Sequence, residues 1–193
     1  FVYLSGFDQY FLYQRTPDKV KQESVVSAVD SERIFVPLSV FILRNNEDNG
    51  SKRTKENVIS LVQKASQIWE QANIEFTIRD IREVKKSDEE IALLLDDTRV
   101  FLEGIREYDP FAINVFLTEK LRGINGIAFG GLLSVAVADY TTVFDFRALA
   151  HEVGHMLGLS HVENARRLMH QGANGFELSL REVLRAREGV ARF

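Results

Sequence analysis

A chain of 193 residues, 45% hydrophobic and 27% charged, is long enough for one globular domain with a real core. Its net charge of -4 and its lack of any long Lys/Arg run give no support for a nucleic-acid footprint, and no apolar run is long enough to span a membrane. With no cysteine, disulfides and thiolate metal sites are excluded.

The chain opens on Phe1, and Asp8 and Gln9 interrupt its aromatic first stretch, residues 1–14, as the apolar core of an export signal would not allow. Residues 34–43 (IFVPLSVFIL) read as a buried strand. A polar loop over residues 45–53 carries a turn signal at Asn49-Gly50. Thr54 then stands as N-cap to a helix in which Val58, Leu61, Val62, Ala65, Ile68, Trp69 and Ala72 recur at spacings of three and four. Residues 74–81 alternate as a half-buried strand, and the charged stretch 85–107 reads as partly helical and open to being an insertion. Its acidic groups Asp88-Glu89-Glu90 and Asp96-Asp97 read as a solvated face rather than a calcium site. Strand patterns return at 111–117, 126–129 and 133–138. A helix should follow, with Thr142 as N-cap, Asp145 completing a capping box and Gly158 as the stop. A last amphipathic helix spans about 179–187. This order describes an α+β fold, a mixed twisted sheet backed by helices.

Residues 151–161 read HEVGHMLGLSH. His151 and His155, four apart on a helix, lie one turn above each other and can converge on one ion. Glu152 is roughly 100° round from His151, too far to be a natural ligand but able to reach a water on the metal. His161 would lie roughly 15 Å from His151 along an unbroken helix, so it joins them only if the helix stops at Gly158 and the chain folds back. Three imidazoles and one open position are the arrangement of a catalytic zinc, although the same nitrogens also suit copper, nickel and cobalt. The chain has four histidines, and three of them sit in this segment.

His151-Glu152-x-x-His155-x-x-Gly158-x-x-His161 resembles the signature of the metzincin clan of zinc endopeptidases. Met169, eight residues past His161, is similar to the short methionine-turn spacing of the matrixin branch; ordinary packing is its other reading. Gly126-Ile127-Ala128-Phe129 resembles the edge strand that pairs with substrate, with Ile127, Ala128 and Phe129 as substrate-binding residues, or is simply a strand. Ser5-Gly6-Phe7-Asp8 resembles the context in which some members block the zinc with an aspartate, a surface turn being the competing reading. Three departures hold the resemblance to the clan rather than a branch. No histidine precedes His151 to hold a second zinc, His170 stands where several branches have tyrosine, and Val162 follows the third histidine.

The resemblance implies a single metallopeptidase catalytic domain over residues 1–193. Its upper lobe would run to about 158, with a small C-terminal lobe from 159 that ends in a helix, and the active-site helix would lie at the cleft between them. It implies one catalytic zinc held by His151, His155 and His161, Glu152 as general base, and Gly158 and Met169 as structural supports. It also implies a peptide or protein substrate and a secreted or periplasmic location. Two alternatives stay open: a zinc-binding module without turnover, and a zinc amidase acting on a non-peptide amide. The sequence does not address oligomeric state.

Overall fold

The two most apolar segments form the middle of the sheet. Strands β1 (Ile34–Arg44) and β3 (Ile113–Thr118) are buried along most of their length, because a run with no polar face is stable only where both sides are covered. β1 pairs in parallel with β2 (Ile74–Lys85) on one side and with β3 on the other. β3 pairs in parallel with β5 (Ser134–Ala138), to which β4 (Gly126–Phe129) is antiparallel. The order β2-β1-β3-β5-β4 makes this a mixed sheet with β4 on an edge. The computed structural model describes residues 32–45 and 49–191; Asp8 lies outside them.

Helix α1 (Lys55–Trp69) starts where the sequence places it. Thr54 Oγ1 accepts from Asn57 N–H, and the Asn57 side chain accepts from Thr54 N–H. Its buried face, including Leu61, Ile68 and Trp69, lies against helix α4 (Asp145–Met156), and Trp69 Nε1 donates to Ala150 O at 3.2 Å.

The charged stretch 85–107 is not a detachable insertion. It forms helices α2 (Asp88–Asp96) and α3 (Thr98–Glu103), which bury Ile91, Leu94 and Phe101 on Phe41, Leu43 and Phe116 of the sheet. Its acidic residues serve helix ends and surface pairs. Ser87 and Glu90 form a capping box, and Asp96 makes a bidentate pair with Arg122 at 2.6 Å. The strict alternation expected for 74–81 is broken by a bulge, since Leu38 pairs with Ile78 but Ser39 with Asp80. The extra residue turns Ile81 to the side of Ile78 and sends Val84 into the cluster under α2 and α3.

The expected capping box at the start of α4 is absent. The helix begins at Asp145, two residues later than a Thr142 cap requires, and its N-cap is Phe144, with no side-chain hydrogen bond. Thr142 instead donates through N–H and Oγ1 to Asn125 Oδ1. Distant groups hold this end: Arg53 donates to Asp139 and Asp145, both at 2.8 Å, and Phe144 N–H donates to Asn174 Oδ1. Helix α5 (Leu180–Val190) has the Ser179–Glu182 capping box and extends past the expected end. Among the described residues, no helix is long and apolar enough to cross a membrane.

Candidate metal centre and cleft

The far end of α4 decides the geometry of the site. After Met156 the chain makes paired terminal bonds, Gly158 N–H to His155 O at 3.0 Å and Leu159 N–H to Gly154 O at 2.9 Å. Gly158 sits at φ +85°, the left-handed conformation that this type of helix stop requires. The chain therefore reverses, and His161 Nε2 comes to 3.2 Å from His151 Nε2 and 3.1 Å from His155 Nε2.

The other nitrogens of the two helical histidines fix their ring states. His151 Nδ1 lies 2.8 Å from Leu168 O, and His155 Nδ1 lies 2.9 Å from Leu159 O. A carbonyl only accepts, so each Nδ1 carries the proton and each Nε2 presents a lone pair to the common point. Burial, helped by neighbouring positive charge, lowers the His151 pKa to about 4; burial also lowers that of His155. Both imidazoles are thus neutral at neutral pH, the form that ligates. Ligand nitrogens at about 2.0–2.1 Å from a tetrahedral zinc lie roughly 3.3 Å apart, and the two closest pairs here match that spacing. All three ligand atoms fall within 4.8 Å of one another. The donor set fits zinc.

Glu152 is buried beside this cluster, and burial pushes its pKa up to about 7, with the Arg147 charge acting in the opposite direction. Its carboxyl lies against edge strand β4: a Cβ on Gly126 would fall 2.8 Å from Glu152 Cγ and 3.0 Å from Ala136 O. The two sit in one cleft of about 610 Å³ that also takes in the three histidines, Ile127 and Ala128. Phe129 does not line the cleft. Two residues apart on the strand, Ile127 and Phe129 share a face, and both pack on the cluster beneath α2 and α3.

Met169 is fully buried beneath the helix. A Cβ on Gly154 would fall 2.6 Å from Met169 Sδ and 3.4 Å from Trp69 Cζ2, so glycine at 154 admits the sulfur beneath the candidate ligands. His170 is half-buried and faces no part of the cleft lining.

Sequence reasoning missed Arg147 and Gly154 as parts of the site, and gave Gly126 only as a member of the edge strand. Arg147 lies one turn before His151, 3% exposed. Its Nη2 donates to Leu168 O at 2.6 Å and to His170 O, and its Nε makes a long contact of 3.5 Å to Gly175 O. Leu168 O thereby receives both Arg147 and His151. Burial brings the guanidinium pKa down to about 10. A signal was available, since a charged residue four before His151 lies on the face of the helix that carries the ligands.

No protein-family model matches this sequence, and no curated protein matches it. Among solved structures, the chain is similar to an archaemetzincin from Methanopyrus kandleri, with 17% identity and a TM-score of 0.51 over 85% of this chain and 97% of that one. A looser likeness is a zinc-dependent peptidase from Methanocorpusculum labreanum (strain Z), with 14% identity and a TM-score of 0.41 over 79% of this chain and 99% of the other. The first establishes the class of fold: an α+β, metzincin-like architecture.

Proposed function

We propose that this chain is a zinc-dependent endopeptidase, with His151, His155 and His161 holding one ion and Glu152 serving as the general base. The observation that carries the reading is the convergence of three imidazole Nε2 atoms beside a buried carboxyl group, in a cleft bounded by an open sheet edge. Bound there, zinc supplies Lewis-acid polarisation of a carbonyl and lowers the pKa of water. Glu152 takes the proton of the attacking water on its carboxylate and returns it to the leaving nitrogen. A carboxyl drawn up to about 7 by burial suits both tasks, and a nearby cation moves it down, toward the base form. Edge strand β4 offers its free backbone groups to an extended peptide, so Ile127 and Ala128 orient substrate while the half-buried side chain of Phe129 steadies the strand. Met169 and Gly158 support the ligands without touching the reacting atoms. We extend the proposal to an extracytoplasmic setting, secreted or periplasmic, on the clan resemblance alone.

Glu152→Gln tests the assignment. Glutamine keeps the shape of the side chain but accepts no proton at neutral pH. The rate of peptide cleavage should fall about 100- to 10,000-fold while zinc content stays at parental stoichiometry. Cleavage at the parental rate would remove Glu152 from the mechanism. Loss of zinc would make it a structural support, and a parent that cuts no peptide would favour the binding-only module.

A further inference from the structure

Arg147 is used only in part by the contacts described above. Nη2 and Nε are committed to backbone carbonyls, but no acceptor among the described residues engages Nη1. Nor does any described carboxylate lie within ion-pair distance of the guanidinium, although its side chain is almost wholly buried. Nη1 is not among the buried atoms left without a partner, so its two N–H groups open on the cleft, where a guest's acceptor can take the place of water. Arg147 lines the same cleft as the histidines, and among the lining residues the only charged groups are Arg147 and Glu152. Glu152 is occupied with the proton. Arg147 is therefore the one permanently cationic side chain in the lining, held rigidly by the loop that carries Met169.

We propose that Arg147 gives the cleft a subsite for a carboxylate of the peptide near the scissile bond, either an Asp or Glu side chain or a free C-terminus. A carboxylate pairs with the open Nη1 by charge-assisted hydrogen bonds, the strongest kind a guanidinium makes. An amide of the same shape offers one neutral acceptor and leaves the buried charge without a partner. The Nη2 bonds to Leu168 and His170 keep the fork from swinging out to meet solvent. This subsite rests on the peptidase reading, and the test separates the two.

Four randomised peptide pools serve as probes: one containing Asp and Glu, a matched one with Asn and Gln in their place, and each made as the C-terminal acid and as the amide. Cleavage by the zinc-loaded parent is read from new amino termini. Binding without cleavage is read from retention on the zinc-loaded Glu152→Gln protein. We expect at least about a tenfold preference for acid over its amide counterpart in both readouts. The Asp/Glu pools winning points to a side chain, and the free-acid pools winning regardless of composition points to the C-terminus. Arg147→Met should level the difference. If that variant fails to fold, Arg147→Lys replaces it, with the preference reduced several-fold because a single ammonium cannot copy the fork. Parity among the four pools in the parent overturns the subsite, as does a preference that either variant leaves intact. Retention that favours carboxylates without any cleavage keeps the subsite and sinks the peptidase reading; neither cleavage nor preference sinks both.

Discussion

The two ends of helix α4, which carries the candidate ligands His151 and His155, are held by different means. Its C-terminal end is closed by Gly158 and by backbone bonds that reach three to five residues, with Arg185 Nε donating to Gly158 O as the one distant addition. Its N-terminal end has no side-chain cap and is held by Arg53, over 80 residues away in sequence, through Asp139 and Asp145. The local end aims His161, the third candidate ligand. The distant end fixes where the helix starts against the sheet. A change at one end should therefore show in metal binding, and a change at the other mainly in stability.

The sharpest break in that comparison is His161→Ala, which removes what the local end delivers. Two protein ligands remain, and equilibrium dialysis should find stoichiometric zinc lost at concentrations that load the parent. Retention of zinc at parental affinity would mean that His161 is not a ligand. Next in size is Arg53→Met. Its side chain is 10% exposed and that of Asp139 is 9% exposed, so Asp139 is left buried without its charge partner. Denaturant unfolding should show a loss of about 3–5 kcal/mol. If folded Arg53→Met protein also loses zinc, the division of labour between the ends is wrong.

Gly158→Ala acts at the local end. A side chain at φ +85° costs about 1–2 kcal/mol, and the same turn sets the approach of His161. Stability should fall by that amount and zinc affinity with it, both read by thermal melts with and without chelator. The smallest effect belongs to Thr142→Ala. A true N-cap would cost about 1 kcal/mol, but Thr142 is no cap here, and the change should stay within about 0.5 kcal/mol. A larger loss, measured by the same melts, would restore it as a helix-capping residue.

What was legible in the sequence follows the same division. The three histidines, the glycine stop and the cap at Thr54 all act over ten residues or fewer, and spacing alone exposes them. The strands at 34–43 and 126–129 were readable because burial and edge position leave a mark on composition. Arg147 was not, because its partners at Leu168, His170 and Gly175 lie 21 to 28 residues away and are backbone carbonyls, which no side-chain pattern announces. Thr142 misled for the converse reason. It has the composition of a cap, but Asn125 takes its hydrogen bonds and Arg53 takes over Asp145. The packing of 85–107 was hidden by its charge, which marks the outer faces of α2 and α3 and says nothing of Ile91, Leu94 and Phe101 beneath them.

The three candidate ligands lie within one short segment, 151–161, rather than being gathered from distant parts of the chain. An ion stabilises a fold only by the margin with which it prefers the native chain over the unfolded one. Imidazoles this close in sequence remain neighbours after unfolding, so the denatured chain keeps part of its grip on the metal. Leu168 O and the rest of the framework orient His151 only in the native state, and that orientation makes up the margin. Zinc should therefore raise the melting temperature by less than its native-state affinity implies, and chelation should be correspondingly gentle on the fold.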